Sequence, residues 1–265
     1  MQHIQSTQNS KIKLIRSLRL RKERYKQGLF LVEGVNLTKE AINYGKVKHL
    51  ILSEKFAERE MWQEKLQEET SLLVVPDVLF NDLAATESPQ GVMAVVQKPE
   101  VNLTNFRYSG GNVLIAAGLQ DPGNMGTLIR TAAAAGCAGV IATKGTVDLF
   151  NDKVVRATMG AIFRIALIQG VTELETAEWV KKQGLDLIIA DVSARDSCYE
   201  IDISRDFALT VGNESRGNDT RTVALADKVV KIPMAGEMES LNAAVAGSII
   251  LYEGVRQRRV TLANG

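Results

Sequence analysis

Six apolar runs in the second half of the chain are nearly continuous rather than alternating. They are NVLIAAG (112–118), AGVIAT (138–143), FRIALIQ (163–169), LDLIIAD (185–191), FALTVG (207–212) and KVVKIP (228–233). A strand with one wet face alternates apolar and polar residues, whereas a strand covered on both faces does not. Helix-like stretches near 125–135, 151–160, 173–183, 219–225 and 240–258 separate the runs. Together they predict an α/β domain built on a mainly parallel sheet.

The first half follows the same alternation at smaller scale. Lys11 to Lys26 reads as one helix stopped by Gly28. LFLVEG (29–34), VKHLILS (47–53), SLLVV (71–75) and GVMAVVQ (91–97) read as strands, with helices at 36–44, 55–68 and 77–84. KPEVNLTNFRYSGGN (98–112) has a proline, a Gly-Gly pair and no period, which marks a linker. The expected domains are therefore 1–97 and 112–265, joined by 98–111.

Composition removes several classes of function. No apolar run reaches the roughly 20 residues of a membrane span, and MQHIQSTQNSK lacks an export signal, so a cytoplasmic protein is expected. Cys137 and Cys198 are too few for a disulfide framework, and with His3 and His49 they give no zinc spacing. No metal is expected. The net charge of +1 hides an asymmetry. Lys11, Lys13, Arg16, Arg19, Arg21, Lys22, Arg24 and Lys26 face only Glu23 within residues 1–30, and Arg256, Arg258 and Arg259 close the chain. This fits either a local polyanion contact or a solvated helix face.

Three polar stretches in the second half lie where apolar runs end, and parallel sheets gather ligands at the carboxyl ends of their strands. The first is LQDPGNMGTLIRTAAAAG (119–136), with a Pro122–Gly123 turn, Asn124 able to cap and Arg130 inside the helix. The second is VGNESRG (211–217), bracketed by Gly212 and Gly217. The third is KIPMAGEMESLNAAVAGSIILYEGVRQRR (231–259), in which Ser240 opens a long helix whose Ala243, Ala244, Ala246 and Gly247 allow close approach. Each alone reads equally as a capped, closely packed helix or a polar surface loop.

Taken in order, DPGNMGTLIRTAAAAG, VGNESRG and IPMAGEMESLNAAVAGSIILYE resemble the three motifs of the SpoU (TrmH-like) RNA ribose methyltransferases of the SPOUT superfamily. The first half, with FLVEG and SPQGVMAVV, is similar to the small α/β RNA substrate-binding domain of ribosomal-RNA members, itself like a ribosomal protein. The resemblance implies methyl transfer from S-adenosyl-L-methionine to a ribose 2′-hydroxyl, a deep trefoil knot near the C-terminus, and a homodimer through the knotted domain. It implies a cofactor site at Gly212, Asn213, Glu214, Gly217, Ile232, Met234, Ser240, Leu241 and Asn242. It places Asn124, Arg130, Glu214, Ser240 and Asn242 in the catalytic centre, with Arg216 holding its loop. It also implies that Arg258 faces RNA, alongside the basic N-terminal helix (Lys11, Lys13, Arg16, Arg19, Arg21, Lys22, Arg24). A guanidinium is a poor base, so Arg130 is read as a phosphate or oxyanion contact, with the proton leaving through a neighbour or water. Ribosomal RNA is the expected substrate. The alternatives are transfer RNA and a non-catalytic RNA-binding role on the same scaffold.

Overall fold

The computed structural model describes residues 1–58, 62, 66, 68–212, 223–236 and 239–264. Its contacts divide the chain into two units: Met1–Glu100 with Phe150–Arg164, and Val101–Leu149 with Ile165–Gly265. Phe150–Arg164, expected with the second domain, thus groups with the first unit.

In the first unit the strands are β1 (Gln2–His3), β2 (Leu29–Glu33), β3 (Val47–Ser53), β4 (Ser71–Val75) and β5 (Val92–Gln97). They form one sheet in the order β1-β4-β3-β5-β2. β1 and β3 run parallel to β4, while β5 is antiparallel to both β3 and β2. β1 is too short to carry a sequence pattern and was not foreseen. The helices are α1 (Ser10–Ser17), α2 (Arg21–Gln27), α3 (Val35–Tyr44), α4 (Glu54–Ala57) and α5 (Asp77–Leu83). Ile12, Ile15 and Leu18 pack with Leu73, Phe80, Leu83 and Met93 in its core. Half of the helix expected over 55–68 lies outside the described residues.

The expected single helix of Lys11–Lys26 is broken between α1 and α2. A break leaves carbonyls without intrahelical donors. Arg24 supplies them: its Nη1 donates to the Leu18 carbonyl at 2.8 Å and the Arg19 carbonyl at 2.7 Å. The side chain is only 4% exposed. Arg24 is therefore a buried internal clamp, which corrects its expected place on an RNA-facing surface. Gly28 ends α2 with φ +64°, the left-handed conformation a glycine adopts without strain.

The second unit is built on β6 (Val113–Ala116), β7 (Gly139–Thr143), β8 (Ala166–Val171), β9 (Asp186–Ala190), β10 (Asp196–Ser197), β11 (Phe207–Val211) and β12 (Lys228–Lys231). Every pairing in this sheet is parallel, in the order β10-β12-β9-β11-β6-β7-β8. The continuous apolar runs match: β6, β7 and β11 are buried along their whole length. The strand order reverses between β6 and β11, the position where a parallel sheet opens to a ligand. The helices of the second unit are α6 (Pro122–Ala134), α8 (Glu173–Lys182) and α9 (Ala243–Asn264), and α7 (Asp152–Ala157) belongs to the first unit.

α9 packs on α6 and β11 at two glycines seven residues apart. A Cβ added at Gly247 would sit 2.7 Å from Leu128 Cδ2 and 2.9 Å from Val211 Cγ2. One added at Gly254 would sit 2.6 Å from the Phe207 ring. The small-residue face of this helix is thus consumed inside the unit. Overpacking of about 1–3 kcal/mol outweighs the few tenths recovered by removing a helical glycine. Gly254→Val should therefore lower the thermal midpoint by roughly 2–10 °C. Calorimetry checks this, and an unchanged midpoint would mean that α9 is not seated against Phe207.

Candidate active site

The site begins at the carboxyl end of β6. The chain leaves Ala116, and the turn is tied by Gly118 N donating to Thr146 Oγ1 at 3.1 Å, while that hydroxyl donates to the Ala116 carbonyl at 3.0 Å. Asp121 then caps α6: its Oδ1 accepts from Asn124 N at 2.7 Å, with Pro122 in the first turn. An Asp-Pro pair is a recognised helix opening. Asn124, expected to be the cap, instead lies one turn inside the helix, so its side chain is available for something else.

That side chain meets Asn242. Asn242 Nδ2 donates to Asn124 Oδ1 at 2.8 Å. The other end of the same amide caps α9, with Asn242 Oδ1 accepting from Ala244 N at 2.9 Å and Val245 N at 3.2 Å. One asparagine therefore both starts α9 and ties it to α6, 118 residues away in sequence. The helix was expected to open at Ser240. It opens at Ala243, because Asn242 takes the capping position.

Around this bond stand the other expected residues. Asn124, Thr127 and Arg130 follow at three-residue steps along α6, and both Thr127 and Arg130 are exposed. Among the described residues Arg130 makes no hydrogen bond or ion pair. Gly212 directly follows β11, and Ile232 to Met234 directly follow β12. Ser240 and Leu241 are exposed and precede the cap. Ile232, Met234, Ser240 and Leu241 enter no hydrogen bond among the described residues, so their backbone donors and acceptors are left for a ligand. Thr210, two residues before Gly212, has a buried hydroxyl with no partner. Such unmet groups on the ends of parallel strands fit a small polar ligand read by backbone. Asn213, Glu214, Arg216 and Gly217 lie outside the described residues. No group of three His, Cys, Asp or Glu among the described residues could hold a metal ion.

The expected RNA-facing cations divide. Lys13, Arg21 and Lys22 are exposed on α1 and α2. Lys11 Nζ donates to Gln2 Oε1 at 2.8 Å, Arg16 pairs with Asp82, and Arg19 donates to the Leu83 carbonyl at 2.5 Å and to that of Ala84.

Arg258 is half-buried and held by its own chain. It pairs with Asp206 at 3.0 Å, donates to Asn112 Oδ1 at 2.9 Å and reaches the Ser204 carbonyl. Asp206 Oδ2 also accepts from Gly111 N at 2.6 Å and from the Tyr108 hydroxyl at 3.2 Å. These residues sit where β6 and β11 begin, at the sheet edge opposite Gly212 and Asn242. Arg258 clasps the chain around Tyr108–Asn112 to the end of α9. Nothing in the linker-like composition signalled this cluster.

The SpoU rRNA Methylase family matches residues 111–252 of this chain. The chain belongs to that family. An MRM3-like substrate binding domain matches residues 9–94. The chain is 34% identical to the 23S rRNA (guanosine(2553)-2′-O)-methyltransferase RlmP of Bacillus subtilis, covering 95% of this chain and 98% of the relative. It is 32% identical to the 23S rRNA (uridine(2479)-2′-O)-methyltransferase of Streptomyces viridochromogenes, covering 90% and 86%. Among solved structures, the AdoMet-bound rRNA methyltransferase from Sinorhizobium meliloti superposes with a TM-score of 0.86 at 30% identity, covering 96% of this chain and 97% of that one. The family match takes in Asn124, Arg130 and Asn242, of which Asn124 and Asn242 are hydrogen-bonded to each other.

The Arg258 cluster generates a pH prediction. Burial pushes the Cys137 thiol up to about 12, and burial followed by the Asp206 carboxylate pushes the Tyr108 hydroxyl up to about 12. Both groups are neutral in the fold. They contribute stability below their unfolded values, near 8.5 for cysteine and 10 for tyrosine, which is lost as pH rises from there towards 12. Stability should therefore fall from about pH 8.5 upward, and Cys137→Ala should make that fall shallower between about pH 8.5 and 10, with the buried Cys198 thiol, also pushed up by burial, still contributing. Urea titrations at a series of pH values test this, and a flat profile from pH 8 to 11 would refute it.

Proposed function

We propose that this protein transfers the methyl group of S-adenosyl-L-methionine to a ribose 2′-hydroxyl of ribosomal RNA. The observation that carries the reading is the Asn242–Asn124 hydrogen bond at 2.8 Å. It draws the first and third motifs together at the carboxyl edge of an all-parallel sheet, beside Gly212, Ile232 and Met234. The cofactor would be held there by Gly212, Ile232, Met234, Ser240, Leu241 and Asn242, together with Asn213, Glu214 and Gly217. It supplies an already activated methyl group. The chain has then to hold a ribose oxygen in line and stabilise the charge that develops on it. Arg130, exposed and without a hydrogen bond or ion pair among the described residues, is the cation for that role. A guanidinium is a poor base, so it contacts a phosphate or the oxyanion while the proton leaves through a neighbour or water. Asn124, Ser240 and Glu214 complete the centre.

Ribosomal RNA is favoured over transfer RNA by the substrate-binding domain matched at residues 9–94 and by the relatives named for 23S rRNA. The knotted passage near the C-terminus belongs to the same proposal. It is supported by the SpoU neighbours and by the return of α9 onto α6 and β11. A homodimer through this domain is also proposed, now on different grounds. Leu241, Val245 and Tyr252 leave an exposed apolar stripe on and before α9. Among the described residues no helix is long and apolar enough to cross a membrane, and the cytoplasm is the proposed compartment.

Asn242 separates folding from chemistry. Asn242→Asp keeps an oxygen to cap α9 but has no N–H for Asn124. Its thermal midpoint should stay within about 3 °C of the parent, while methyl transfer falls at least tenfold. Asn242→Ala should lose both activity and roughly 1 kcal/mol of stability. Arg130→Ala should abolish transfer of labelled methyl to RNA and leave cofactor affinity, read by calorimetry, within about twofold. An active Arg130→Ala enzyme would overturn the assigned role.

A further inference from the structure

Tyr25 on α2 remains 44% exposed in the first unit. Arg21, one turn earlier, places its Cζ 5.4 Å from the Tyr25 ring centroid. Lys98, just past β5, places its Nζ 3.8 Å from that centroid and 4.8 Å from the centroid of Phe150. Phe150 in turn helps wall a cleft of about 250 Å³, together with Leu31, Met93, Arg19 and Arg156. The two carboxylates of the cleft are already engaged. Glu33 accepts from Ala85 N at 2.7 Å and from the Thr86 hydroxyl, and Asp152 pairs with Arg156 at 3.2 Å. Lys22 and Lys26 are exposed on the same short helix.

An exposed ring beside two cations offers aromatic surface and phosphate-seeking charge in one place. A duplex hides the faces of its bases and presents phosphates, so only an unstacked base uses both. The cleft lies below the 300–1,000 Å³ of pockets for whole small-molecule ligands, which is the scale of a single base. We propose that Tyr25, with Arg21 and Lys98, is a stacking platform for an unpaired base of the RNA substrate, and that the adjoining cleft receives the neighbouring base. This rests on the reading of the protein as an RNA methyltransferase and adds which RNA conformation the first unit selects.

The test uses the full chain, a single-stranded oligoadenylate decamer and a blunt RNA duplex, with affinities read by fluorescence anisotropy across a salt series. Tyr25→Ala should weaken decamer binding about 5- to 100-fold, with the salt slope unchanged and duplex binding within twofold. Tyr25→Leu, which keeps apolar bulk, should behave like the alanine variant, and Tyr25→Trp should restore affinity. Lys98→Ala should flatten the log–log salt slope by about 0.7 on the single strand. Leucine binding the decamer as tightly as tyrosine, or equal losses on decamer and duplex, would overturn the platform. Failure of the unmodified protein to bind either RNA would overturn the functional reading and the platform with it.

Discussion

The close seating of α9 is the constraint on which the site depends. Gly247 lies against Leu128 of α6 and Val211 of β11, and Gly254 lies against Phe207. A side chain at either glycine would push the helix away from the sheet. The helix start would move with it, and Asn242 would leave hydrogen-bond reach of Asn124. Packing at two glycines thus sets the geometry of a polar contact at the end of the helix. The far end is fixed independently by Arg258, which locks α9 to Asp206 and Asn112 at the opposite sheet edge.

Much of this was legible before any coordinates. Strands β6, β7 and β11 are buried along their whole length, so their sequences are apolar without interruption and their positions could be read within a residue or two, whereas the two-residue β10 carries no such run and was not foreseen. The three motifs could be placed at strand ends for the same reason. What could not be read is the work done by individual charges. Arg24 and Arg258 look like surface cations in a basic segment. One satisfies carbonyls exposed by a helix break, and the other closes a clasp between segments far apart in sequence. Periodicity encodes neither: the first depends on where the helix breaks, five and six residues before Arg24, and the second on partners far away in sequence. Asp121 could have been found, since Asp-Pro before an apolar helix is a local capping signal. Phe150–Arg164 could not, because nothing in its composition says which unit it joins.

That segment matters for dissecting the protein. Phe150 packs against Phe30 with ring centroids 5.0 Å apart, and Arg164 pairs with Glu40 at 2.7 Å. Deleting residues 1–107 would strip these partners from a segment that remains in the truncated chain. Single substitutions in the intact protein are therefore the sounder way to separate RNA recognition from methyl transfer. They also suit the basic N-terminus, where Arg16 and Arg19 are exposed but bonded within the unit and Arg24 is buried.

The most direct test of the central claim is a map of ribose 2′-O-methylation across ribosomal RNA from cells with and without the gene. The expected result is the loss of a discrete methylated nucleotide in the deletion strain. The mark should return with the intact gene and stay absent with the Arg130→Ala form. Identical ribose-methylation maps from the two strains, with the protein expressed in the parent, would contradict a role as a ribosomal-RNA 2′-O-methyltransferase.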